Sequence, residues 1–251
     1  MLNLLSVVLP LLLAFLIAAR FRTKLNSRDS TILVVSFLIS LLTVIPSIMI
    51  KKTAEELGFR QEAGYSVASN VLFANLSFAF FTAFVDELNK YIVVVAYAYR
   101  RKEYDEPMAG ILVAVMIALG FTLSENAYFI LSDSKDFNQS WKLLANIPAA
   151  LSFAVIMGFN AGMSKYGLDS DDLSSMGLRM KGLFLATFYH AFYSFFIGVD
   201  DYRSVMIFIV IIGLILLIQV GLALFRSRRL HVRLMYSRSR RAKQSFDNPF
   251  S

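Results

Sequence analysis

The residues able to do chemistry are few, and they sit where apolar surroundings make them expensive. Asp86, Glu87 and Lys90 interrupt an otherwise uncharged stretch from Ala63 to Tyr99, Glu125 and Asn126 interrupt another from Met108 to Ser132, and His190 lies in a third. Inside hydrocarbon each ionisable side chain costs about 2.5 to 3.5 kcal/mol, so such groups normally face a bundle interior or a wet cavity. Two carboxylates and an imidazole on separate segments suit peptide hydrolysis: one carboxylate takes a proton from water while a second polar group stabilises the oxyanion. The same set, Glu87, Glu125 and His190, could instead hold a divalent metal such as Zn²⁺ and leave one carboxylate as general base.

Plainer roles compete with these. Asp86 and Lys90 stand four residues apart, a spacing at which a helix pairs them and leaves Glu87 with no partner on its own helix. Asn126 either orients Glu125 or bonds a helix backbone, and a single histidine often serves as a packed neutral donor between helices. The Gly158, Gly162 pair reads as a close helix contact rather than as chemistry. Tyr97, Tyr99 and Trp141 fall near expected interfaces and read as belt anchors.

The elements that must position these groups are membrane spans. Of 251 residues 57% are hydrophobic and only 17% charged, and the mean hydropathy is +0.60. An ordinary water-soluble enzyme is excluded. The chain has no cysteine, which removes disulfides, thiolate metal sites and a cysteine nucleophile. The expected fold class is all-α, a polytopic bundle of about seven spans. They are Met1 to Ala19, retained rather than cleaved; Thr31 to Ile50; about Asn75 to Tyr99, with Gly64 to Ala74 as an interfacial lead-in; Met108 to Ser132; Leu143 to Ser164; Gly182 to Val199; and Ser204 to Phe225. Residues 1–225 form the transmembrane domain, with the chemistry in 75–200, and 226–251 form a basic cytoplasmic tail. Leu168 to Met176 reads as the one polar loop of any length.

Alternation of basic residues orients the bundle. One side receives 18 of the 25 Lys and Arg: Arg20, Arg22, Lys24, Arg28, Arg100, Arg101, Lys102, Lys165, Arg179, Lys181 and the eight of the tail. The other receives Lys51, Lys52, Arg60, Lys135, Lys142 and Arg203. By the positive-inside rule the N-terminus is outside and the C-terminus cytoplasmic. The tail reads as a stop-transfer anchor on lipid headgroups, with no nucleic acid implied. Counted along helices at about 1.5 Å per residue, Glu87, Glu125 and His190 all lie between the midplane and the outer half of the bilayer. They could share a cavity if the third, fourth and sixth spans pack together.

These three segments resemble the PrsW family of intramembrane proteases, relatives of the type II CAAX prenyl protease and bacteriocin-processing membrane proteins. The family pattern is Glu-Glu-x-x-Lys, then Phe-x-x-x-Glu-Asn, then a late His-x-x-x-Asp. Here the first reads Asp86-Glu87-Leu88-Asn89-Lys90, the second Phe121-Thr122-Leu123-Ser124-Glu125-Asn126, and the third His190-Ala191-Phe192-Tyr193-Ser194. Asp86 stands for the first Glu, Ser194 for the last Asp, and Ala150 for a His expected after Pro148. The resemblance implies a multi-pass protein of the bacterial cytoplasmic membrane that cuts a single-span membrane protein, such as an anti-sigma factor, near the outer half of the bilayer. It implies Glu87 as water-activating base, Glu125 as its assistant or a metal ligand, and His190 as oxyanion stabiliser or metal ligand, supported by Asp86, Lys90, Asn126 and Ser194. Ala150 and Ser194 favour an alternative: a catalytically inactive homologue binding a membrane peptide or partner. A proton-coupled transporter is a third class, disfavoured because no inverted repeat is visible.

Overall fold

The computed structural model describes residues 2–22, 27–59, 69–102, 104, 107–132, 137–166, 172–197, 210, 213–215 and 217–229. Their secondary structure is helical throughout. The helices are α1 (Leu2–Arg22), α2 (Ser27–Glu56), α3 (Ser69–Val93), α4 (Pro107–Leu131), α5 (Phe137–Tyr166), α6 (Asp172–Ile197) and α7 (217–229). With no water in the bilayer core to bond the backbone, each crossing must satisfy its peptide groups within itself. Prolines are tolerated inside such helices, and Pro10, Pro46 and Pro148 lie within α1, α2 and α5.

Five helical segments are long and apolar enough to cross a membrane: Leu2–Arg20, Thr31–Glu56, Val71–Ala98, Pro107–Leu131 and Trp141–Lys165. The third differs from its expected form. Helix α3 starts at Ser69, within the stretch read as an interfacial lead-in, and is continued by a π-helical turn, Val94–Ala98. Residues 64–68 of that lead-in lie outside the described residues. The expected polar loop from Leu168 to Met176 is shorter than read, because α6 is already helical from Asp172. Most of the seventh expected span lies outside the described residues, and only its C-terminal part is seen, in α7.

Helix α4 is the centre of the bundle: 72% of its apolar window is buried, against 17% for α1. It packs on α5, α2 and α1, while α3 packs on α6 and α2. The α4 and α5 backbones touch. A Cβ on Gly158 would lie 2.7 Å from the Ala114 Cβ, and one on Gly162 would lie 2.6 Å from the Pro107 Cα. The close contact expected of that glycine pair is therefore what the structure shows, with Gly110 as the facing glycine on α4.

Tyr99 is not the lipid anchor its position suggested. Its carbonyl accepts a 2.7 Å hydrogen bond from Lys165 Nζ, its hydroxyl lies 3.3 Å from Ser175 Oγ, and the Arg179 guanidinium sits 4.7 Å from its ring centroid. These contacts knit the ends of α3, α5 and α6 together. Beside it Tyr104, in the connection between α3 and α4, is fully buried, and burial raises its hydroxyl pKa above the usual value, so it stays protonated.

Candidate active site

Helix α3 places Asp86, Glu87 and Lys90 on its buried side. The expected pairing of Asp86 with Lys90 is not the one that forms. Lys90 turns one residue further along its own helix and donates to Glu87 Oε1, so Glu87 does have a partner there. Asp86 is held from α2 instead. Ser47 Oγ–H donates to its Oδ1, and Lys51 Nζ lies 2.8 Å from Oδ1 and 2.9 Å from Oδ2. The spacing of Lys90 permits either carboxylate, and a second cation beside Asp86 decides between them.

Helix α6 brings His190 to the same carboxylate. Its Nδ1 is 2.9 Å from Glu87 Oε1, and its ring stacks on Phe153 of α5 with centroids 5.1 Å apart and planes 17° apart. Glu87 is bound to an ammonium and acts as acceptor, so the Nδ1 that faces it carries a proton. The other Glu87 oxygen, Oε2, is buried and has no hydrogen-bond partner among the described residues.

Helix α4 contributes Phe121 and Glu125. The Lys90 ammonium lies 5.0 Å from the centroid of Phe121, a cation–π contact that joins the lysine of the first motif to the aromatic residue of the second. Glu125 accepts from Asn146 Nδ2 at 3.2 Å and lies 3.5 Å from Lys51 Nζ. Asn126 takes the backbone role of the two considered: its Nδ2 donates to the Ser6 carbonyl of α1 at 2.9 Å and to the Leu143 carbonyl of α5 at 3.4 Å. Ser194 lies one turn beyond His190 on α6 and is half-buried.

The structure thus gathers Asp86, Glu87, Lys90 and His190 around α3, and connects Glu125 to them through Lys51. The direct packing of the third span on the fourth is slight; α2 fills the place between them. Four partners escaped the sequence reading: Ser47, Lys51, Asn146 and Phe153. Lys51 follows a 20-residue uncharged run and looks like an ordinary flanking charge, whereas Asn146 is an uncharged polar residue early in the fifth expected span, outside every motif.

In this arrangement Glu87, Glu125 and His190 do not converge on one point as three metal ligands would. The inner oxygen of Glu87 already faces an ammonium and an N–H, Glu125 is turned to Asn146 and Lys51, and no three His, Asp or Glu side chains among the described residues converge as metal ligands.

The family described as PrsW family intramembrane metalloprotease matches residues 29–220. Among curated proteins, Protease PrsW of Geobacillus kaustophilus is 35% identical over 86 residues, covering 34% of this chain and 38% of that protein. Protease PrsW of Clostridioides difficile is 25% identical over 135 residues, covering 53% and 56%. Protease PrsW of Halalkalibacterium halodurans is 25% identical over 165 residues, covering 66% and 71%. The chain thus spans about half or less of the length of the first two relatives. No solved structure matches it. The family match covers most of the chain and takes in all three polar segments, and on that ground the protein belongs to the PrsW family of multi-pass intramembrane proteases.

Proposed function

We propose that this protein is an intramembrane peptidase that hydrolyses single-span membrane proteins, an anti-sigma factor being one such substrate, with water activated by Glu87. The supporting observation is the state of that carboxylate: fully buried, one oxygen fixed by Lys90 and His190, the other without a partner among the described residues. Fixed on one side, the group is oriented; on the other, its lone pairs are available to a proton. In this reading Oε2 takes a proton from water as the water oxygen adds to the scissile carbonyl carbon. The Lys51 ammonium, 19% exposed, supplies positive charge for the oxyanion. Collapse breaks the C–N bond, and the proton on Glu87 passes to the departing amine. His190, donating through Nδ1, holds Glu87 in place. Glu125 and Asn146 position Lys51, and Asp86 with Ser47 does so from the other side.

The alternative is a non-hydrolytic homologue that binds a membrane peptide. The ion pairs favour it to this extent: Lys90 already pairs with Glu87, and Lys51 with Asp86, without a ligand. Glu87→Gln separates the readings. The amide keeps the shape and the acceptor toward Lys90 but cannot take a proton. In cells expressing a tagged single-span substrate, the peptidase reading expects cleavage to fall by at least about 100-fold, in the range for losing a general base, with the protein still folded. Unchanged cleavage removes Glu87 from the chemistry, and retained substrate capture by a wild-type chain that never cleaves establishes the binding homologue.

A further inference from the structure

Away from the polar cluster, α5, α6 and α7 enclose a recess of about 510 Å³. Its lining has two chemistries. Phe159, Met163 and Leu222 give it apolar walls, while Lys181, Arg226 and Arg229 bring three positive charges, with no acidic side chain among the described lining residues. Lys181 and Arg226 are exposed, and neither has an ion-pair partner among the described residues. Arg229 packs its guanidinium over Phe225, 4.2 Å from the ring centroid, which orients the group while leaving its N–H edges available.

The recess lies where α5 ends, α6 begins and α7 ends, and in the orientation expected from the charge count that is the cytoplasmic leaflet. A volume of this size is typical of a small-molecule site, and a basic recess between helices at headgroup level is suited to an anionic lipid. Residues 230–251 are poor candidates to fill it, because they carry Arg233, Arg238, Arg240, Arg241 and Lys243 against Asp247 alone and would meet like charge.

We infer that this recess binds one anionic phospholipid, its phosphate held by Lys181, Arg226 and Arg229 and an acyl chain lying along Phe159, Met163 and Leu222. The site is separate from the Glu87 cluster and does not depend on the peptidase reading.

The test uses the full chain purified in a neutral detergent, with bound lipid counted by native mass spectrometry. Dioleoylphosphatidylglycerol is compared with dioleoylphosphatidylcholine, and inorganic phosphate is offered as a competitor. One phosphatidylglycerol should be retained in preference to phosphatidylcholine. Lys181→Gln and Arg226→Gln should each weaken that retention about fivefold, the worth of one cation at an anionic surface, and Leu222→Trp should weaken it with every charge intact. Thermal unfolding without added lipid checks that each variant is folded. Equal retention of the two lipids overturns the inference. So does an equal loss on Arg240→Gln with Arg241→Gln, which would mean diffuse attraction by the tail, and so does displacement by phosphate alone, which would mean an anion site without a lipid chain.

Discussion

Lys51 Nζ stands 2.8 Å from Asp86 Oδ1, across the interface between α2 and α3 and 35 positions apart in the chain. The same ammonium reaches Glu125 at 3.5 Å. One cation near the end of α2 therefore holds the carboxylates of two helices that share little direct contact. Lys51→Met keeps the stem and removes the charge, leaving Asp86 buried with Ser47. Removing one partner of a buried pair costs about 3 to 5 kcal/mol, and the partial exposure of Lys51 puts the expected loss near the lower figure. Adding Asp86→Asn should recover much of it. Denaturant unfolding in micelles reads both effects; a Lys51→Met protein as stable as the wild type would show that the bridge contributes nothing.

Asn126 and Asn146 should separate in their consequences although both are asparagines beside the cluster. Asn126 is fully buried and ties α4 to α1 and α5 through backbone carbonyls. Asn126→Ala should cost about 1 to 3 kcal/mol of stability, the range for stranding buried polar groups, and lower activity only as far as folding is lost. Asn146→Ala frees Glu125 and should reduce kcat with little change in stability. A pair of variants indistinguishable in both unfolding and turnover would contradict this division.

Gly158→Val tests the contact of α4 with α5. A side chain there meets Ala114 and the Gly110 backbone rather than an open groove. Overpacking of this kind costs about 1 to 3 kcal/mol, and the protein should unfold at lower temperature. Gly177→Ala is the control: nothing lies within 4 Å of its added Cβ, and removing a helical glycine should be neutral or slightly stabilising. Equal stability of the two variants would show that the helices are not in backbone contact.

Peptidase activity of the purified protein should survive 1,10-phenanthroline, because the Glu87, Glu125 and His190 side chains are engaged with one another's neighbours rather than converging on an ion. Inhibition that added Zn²⁺ reverses would replace the glutamate reading with a metal-dependent one.

The polar residues inside spans were legible from sequence because hydrocarbon penalises them regardless of context, and the ordered motifs around Glu87, Glu125 and His190 carried the family. Partner choice was not legible. Lys90 meets the helical spacing rule for both Asp86 and Glu87, and only a cation arriving from α2, 35 residues earlier, settles which it takes. Lys51 itself obeys the pattern of a charge that ends a span, so composition assigns it to the interface while packing draws its ammonium inward. The start of α3 was missed for a related reason: a hydropathy reading sees where apolar character is sufficient to span, not where backbone hydrogen bonding begins.

The meeting of Gly110 with Gly158, and of Pro107 with Gly162, also bears on which helices can shift against one another. Sliding motions between packed helices are accommodated by small side-chain adjustments, and at this seam there is main chain against main chain, with little side chain to adjust. Helices α4 and α5 thus act as the stator of the molecule. If the proposed peptidase admits a substrate helix, the parts free to separate are those joined through longer side chains, the α2 and α3 pair held by Lys51 and the α3 and α6 pair held by His190, and the bonds that orient the carboxylates would then also be the latches that yield.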